Sequence, residues 1–233
     1  MANPAELTKG LAAGLGVKEE TIIVYDRYLR SAGLRSKKGR GRGAPQVTAR
    51  DAAHLVTAVL GSGEVKDAAH AVRRYSETRP QQRASGKKLF GALGISELTA
   101  LPADHSFVDV LEALIASAAA GSLAEWLATE AKTVRGRKID VAPLINIAAL
   151  TPGTVGDIRI AGVAPGVTAA VRYVLPSPWD KQSRHPPPDA ELDAWEASLK
   201  QHQRDMDLDQ YRRISARTIL SVAAVIAPAE EKP

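Results

Sequence analysis

Cysteine is missing from the chain. That excludes disulfides, thiol nucleophiles and cysteine-based zinc sites. Aromatic residues are scarce, at 4% of 233 residues, so a core has to be built mainly from Ala, Leu, Val and Ile; the 45% apolar share is enough for one. No stretch reaches the roughly 18 uncharged apolar residues of a membrane span. The most apolar candidate, residues 107–120, is too short and carries Asp109 and Glu112. The opening Met-Ala-Asn-Pro-Ala-Glu lacks the basic start and apolar centre of a signal peptide. A reducing cytoplasm suits these features, and no membrane partner is expected.

What is present is a modest excess of positive charge, concentrated in one place. Net charge is +5, and residues 35–50 hold six Lys or Arg without a single Asp or Glu. That window alone could account for the whole excess, and a basic surface favours anionic partners such as nucleic acid.

The stretch around it reads helix, short turn, helix, basic tip. Asn3-Pro4 suits a helix start, with Asn as cap and Pro in the first turn. Leu7, Leu11 and Leu15 form one apolar stripe, and Gly14 and Gly16 mark its end. Residues 19–32 place Ile22, Tyr25 and Leu29 on one face, and Gly33 suits a left-handed cap followed by Leu34. Residues 34–47 read as two short strands joined by a loop in which Gly39, Gly41 and Gly43 alternate with Arg40 and Arg42. Thr48 caps a third helix, with Asp51 reaching back to it, and Gly61-Ser62-Gly63 ends that helix. A fourth helix runs over 65–77. Residues 78–104 read as a connecting segment.

In the second half, 106–134 is strongly helical and is interrupted at Gly121-Ser122. Residues 139–150, 155–160 and 167–175 are short and β-branched, separated by Thr-Pro-Gly and Ala-Pro-Gly turns, which predicts an antiparallel sheet of about three strands. A proline-rich loop follows, then a polar helix over 190–208. Strand is expected over 212–215, helix over 217–226, and disorder from Pro228.

Leu11-Ala-Ala-Gly-Leu-Gly-Val17, Thr21-Ile22 and Leu29-Arg-Ser-Ala-Gly-Leu34 before the basic tip resemble bacterial winged helix-turn-helix regulators, over about a quarter of the chain. The resemblance implies a recognition helix over 19–32 in the major groove, with Val17 turned inward. Thr21, Val24 and Arg27 would face base edges and Arg30 a phosphate. A wing over 35–44 would bring Arg35, Lys37, Lys38, Arg40 and Arg42 to the DNA backbone or minor groove. Glu19 and Glu20 depart from that pattern, although carboxylates do suit a helix N-terminus.

The expected fold is therefore α+β and mostly helical. A winged helix-turn-helix unit occupies 1–77, a connecting segment 78–104, and an α+β domain for dimerisation or partner or ligand binding 105–228.

Other constellations read as structural. His54, His70, His105, His185 and His202 have no metal spacing. The acidic residues of 189–209 read as a solvated helix face, and the basic turn Arg135-Gly-Arg-Lys138 as a solvated turn. The Gly-Xaa-Gly pairs follow no strand and make no phosphate loop. Trp126, Trp179 and Trp195 read as core or interface anchors. No nucleophile has a partner, so neither an enzyme nor a cofactor is expected.

The leading function is a DNA-binding transcriptional regulator of duplex DNA, homo-oligomeric with a dimer favoured, in the cytoplasm at the nucleoid. The alternative is a phage-type packaging or structural protein that touches DNA non-specifically; the Ala- and Arg-rich composition accords with a high-GC bacterial or phage genome. An enzymatic site assembled only in space stays as a third reading.

Overall fold

Asn3 starts the first helix, α1 (Pro4–Leu15), through a reciprocal cap. Its side chain accepts the Glu6 N–H at 2.9 Å, and the Glu6 carboxylate accepts the Asn3 N–H at 3.0 Å. Gly16 stops α1 in the left-handed region (φ 68°), and the Val17 N–H reaches back to Ala12 O at 3.1 Å. Helix α2 (Glu19–Ser31) stops in the same way. Gly33 takes φ 72°, its N–H bonds Arg30 O at 3.1 Å, and the Leu34 N–H bonds Leu29 O at 2.9 Å. The two helices are thus joined by a tight turn whose geometry the glycine dictates.

This computed structural model describes residues 3–36, 46–132, 140–151, 154–163, 166–178, 188–203 and 210–227. Helix α3 (Ala49–Gly61) begins at a second reciprocal cap, Thr48 with Asp51. It is alanine-rich and buried on most of its circumference, which lets neighbours approach closely from several sides. It packs between α4 (Ala68–Glu77), α7 (Phe107–Ala120) and the sheet. Short helices α5 (Gly86–Phe90) and α6 (Ser96–Thr99) lead to α7, which is capped by Ser106 with Asp109 and ended by Gly121 at φ 94°. After the break come α8 (Ser122–Lys132), α9 (Asp189–Gln203) and α10 (Ala216–Ile226). No single helix is long and apolar enough to cross a membrane among the described residues.

The sheet has five antiparallel strands: β1 (Arg79–Pro80), β2 (Ile145–Thr151), β3 (Val155–Ala161), β4 (Thr168–Val174) and β5 (Gln210–Ser215), in the order β1-β4-β3-β2-β5. Three strands were expected around β2 to β4, and the strand-to-helix change near residue 215 appears as β5 and α10. The added strand β1 is two residues long, below any sequence period. One face of the sheet, with Ile147, Ile158, Ile160, Val171 and Ile214, is buried against the helices. Gly156 lets Phe107 of α7 sit on that face: a Cβ there would lie 2.3 Å from the ring.

Four expectations change. The stretch 78–104 is not merely a connector, because Phe90, Leu93, Ile95 and Leu98 enter the same buried cluster as Leu7 and Val222. That cluster runs from α1 to α10 without a break at the expected boundary. Gly14 stands in the last turn of α1, next to the expected stop at Gly16, but its part is in packing: with Gly10 it admits α10, since a Cβ on Gly14 would be 3.2 Å from Thr218 Cα, and one on Gly10 2.7 Å from Val225 Cγ2. Val17 faces outward, 44% exposed. Residues 34–36 and 46–47, expected as wing strands, are not in strand; the Leu34 carbonyl, the Arg35 guanidinium and the Ser36 N–H instead bond side chains of α2 and α3.

Candidate nucleic-acid interface

Helix α2 buries Ile22, Tyr25, Asp26 and Leu29. The periodicity that buries these four leaves Glu20, Val24, Arg27 and Ser31 centred on the opposite side. Of the residues implied to read DNA, Thr21 and Arg27 are exposed, Val24 is half-buried, and Ile23 and Tyr28 flank them at 41% exposure each. The outer face of α2 therefore offers one cation, Arg27, one carboxylate, Glu20, the hydroxyls of Thr21, Tyr28 and Ser31, and the apolar Ile23 and Val24. Apolar contacts to thymine methyls and hydrogen bonds to base edges both fall within such a set.

Two expected contact residues are employed inside the protein. Arg30 is ion-paired with Asp26 four residues earlier and keeps only 36% of its side chain exposed. Arg35 is buried, with 3% of its side chain exposed. It donates Nε–H to Asp26 Oδ1 at 2.6 Å and lies 3.4 Å from Asp51 Oδ1. It is a structural cation, not a free DNA contact. Its signal in the sequence was Asp26 on the apolar face of α2: a carboxylate there needs a buried cation, and Arg35 is nine residues on.

Asp51 holds the base of the basic segment. Its carboxylate accepts the Thr48 N–H at 3.1 Å, which is its half of the α3 cap, and in addition the Ser36 N–H and the Ser36 hydroxyl, each at 2.9 Å. Burial alone would push the Asp51 carboxyl up. The Ser36 and Thr48 hydrogen bonds and the Arg35 charge outweigh it, so the group sits below its ordinary value. Next to it His54 Nδ1 lies 2.7 Å from Leu34 O, so the ring nitrogen donates to that carbonyl. Desolvation keeps His54 below the usual histidine value. The chain on both sides of 37–45 is thus anchored to the first turn of α3. Lys37, Lys38, Arg40 and Arg42 lie outside the described residues, as do Arg135 to Lys138.

Arg50, also in the basic window, bridges Asp109 and Glu112 at the start of α7. Among the described residues, no three His, Asp or Glu side chains converge as metal ligands. His105 is buried between Pro102 O and the Tyr173 hydroxyl, 2.7 Å from Nε2, with the Phe90 ring close by and Phe107 against Tyr173. It is a satisfied core histidine. A basic surface missed by the sequence reading lies on the open face of the sheet, where Arg159, Arg172 and Arg213 share one side. Period-two alternation in β3, β4 and β5 was its only signal. No family model, curated protein or solved structure matches this chain.

Proposed function

We propose that the protein binds duplex DNA through its N-terminal helix-turn-helix, with the Gly/Arg segment as a second contact to the phosphates. The observation that carries the reading is the two-point anchoring by Asp51. A segment bearing Lys37, Lys38, Arg40 and Arg42 is tethered at Ser36 and Thr48, directly beyond the end of α2, whose outer face bears Thr21, Val24 and Arg27. A cationic segment tied beside an exposed helix supplies the two elements of groove binding: charge for the backbone and a solid face for base edges. A strand-built wing is not required for this. Phosphate contact falls to the segment, because Arg30 and Arg35 already have carboxylate partners. Regulation of transcription is the biological use proposed.

The test is fluorescence anisotropy of the purified protein with its own upstream duplex and with random duplex across a salt series. Tight, salt-steep binding that prefers the upstream region is the expected result. Weak, equal binding would instead assign the packaging or structural role, and absence of duplex binding at low salt would refute both.

A further inference from the structure

We infer that the open face of the sheet is a binding platform for single-stranded nucleic acid, separate from the duplex site proposed above and resting on different residues. Strand register puts Arg213, Ala148, Asp157 and Arg172 across one row of this face, and Ser215, Asn146, Arg159 and Ala170 across the next. Three arginines therefore surround one carboxylate. Arg172 neutralises it in a two-point contact, Nε to Asp157 Oδ1 at 2.8 Å and Nη2 to Oδ2 at 3.2 Å, while staying 58% exposed itself. Arg159 and Arg213 are exposed and have no carboxylate partner among the described residues. The face carries a net excess of two positive charges.

Tyr211 gives the surface its selectivity. It stands on β5 opposite Leu150, yet its hydroxyl bonds Asp157 Oδ2 on β3, at 3.3 Å. To reach it, the side chain must run diagonally across β2. That route accounts for Ala148, which lies on this open face yet is fully covered. The ring is therefore held along the sheet, 51% exposed, beside the row that carries Arg213 and Arg172. An exposed aromatic ring beside a row of cations matches unpaired bases, which stack on it while phosphates meet the guanidinium groups. A duplex keeps its base faces covered and has nothing to place on Tyr211. The concave surface here has a volume of about 400 Å³, and a second of about 390 Å³ adjoins it through Asn146 and Arg213 and reaches Arg217 and Gly14. Charge and length together suit a short extended polyanion with exposed bases.

The experiment uses the full chain and a labelled oligo-dT of about a dozen nucleotides, read by anisotropy across salt. Arg159→Ala with Arg213→Ala should weaken dT binding by on the order of tenfold and lower the log–log salt slope by about 1.4, two phosphate contacts at about 0.7 each. Tyr211→Ala should also weaken it by on the order of tenfold, whereas Tyr211→Phe, which keeps the ring, should retain most of the affinity. The charge reversal Arg159→Glu with Arg213→Glu should abolish binding while the thermal melt stays that of the parent. Duplex binding should respond to Arg40→Ala with Arg42→Ala instead, so the two sites fail separately. The inference is overturned if oligo-dT does not bind at low salt, if the sheet variants leave its binding unchanged, or if poly-glutamate binds as tightly and Tyr211→Ala is harmless, which would assign the face to acidic peptide.

Discussion

Arg35 and Asp26 form a buried ion pair, Nε to Oδ1 at 2.6 Å, that joins the start of the basic segment to the inner face of α2. The Asp26 side chain is fully buried and that of Arg35 nearly so. Both charges would be costly alone; Asp26 is offset by Arg35 and Arg30, and Arg35 by Asp26 and Asp51. The pair therefore fixes the point at which the chain leaves α2.

Removing Arg35 should be severe. Arg35→Ala would leave buried Asp26 with Arg30 as its cation and Asp51 with hydrogen bonds but without the Arg35 charge, and a loss of about 3 kcal/mol is expected from urea denaturation. Arg27→Ala, on the exposed side of the same helix, should change stability by less than about 0.5 kcal/mol. Equal effects of the two substitutions would contradict the buried network.

DNA binding should separate the same residues differently. Arg40→Ala with Arg42→Ala should weaken all duplexes alike and reduce the salt slope by about 1.8, at about 0.9 per lost phosphate contact. Arg27→Ala should shift base preference by about 1–3 kcal/mol at one position, with little change in slope. Competition titrations against a panel of single-base variants would read both. A uniform loss for Arg27→Ala would remove α2 from base recognition.

Much of the secondary structure was legible because its causes are local. Asn3, Thr48 and Ser106 cap helices within their own first turns, and Gly16, Gly33 and Gly121 end them by their own backbone angles. Packing was not legible. Gly14 looked like a helix end because its partner, Thr218, lies two hundred residues on, where Thr218 Oγ1 bonds Gly14 O. Arg35 looked like a wing residue because composition groups it with Lys37 and Lys38, while its true partner sits on the other side of a helix end. Phe90, Leu93, Ile95 and Leu98 were read as a connector because turns this short carry no period, yet all four are buried.

Stability should fall in two separate steps as pH drops. Burial holds His54 and His105 below the ordinary imidazole value. The unfolded chain then takes up protons first, so the stability these groups give is complete above about pH 6.5 and declines below it, by at most about 1.4 kcal/mol per pH unit for each histidine. Asp51 and Asp109 are held below the ordinary carboxyl value: burial would raise them, but hydrogen bonds from Ser36 and Thr48 to the first, and from Arg50 and Ser106 to the second, prevail. Their contribution is present above about pH 3.9 and is lost as pH falls through the folded values. Denaturation at pH 7.5, 6.5 and 5.5 checks the first step, and His105→Gln should reduce it to the part His54 contributes. A stability constant from pH 7.5 to 5 would exclude it.

Two glycines five residues apart should behave oppositely. A Cβ on Gly86 would lie 1.9 Å from Leu98 O and 2.9 Å from Leu101 Cβ, and the Gly86 N–H bonds Leu101 O at 2.8 Å. The clash is with backbone, so α5 would have to move away from the 98–101 turn. Gly86→Ala should therefore cost at least about 1–3 kcal/mol, the range for forcing extra volume into a packed site. Gly91 has helical angles, φ −56° and ψ −36°, and nothing within 4 Å of a Cβ. Gly91→Ala should shift stability by less than about 1 kcal/mol, with the reduced freedom of the unfolded chain acting in its favour. Melting curves of the two variants side by side would decide whether 78–104 is part of the core. If both were neutral, the close packing of α5 against the 98–101 turn would be refuted.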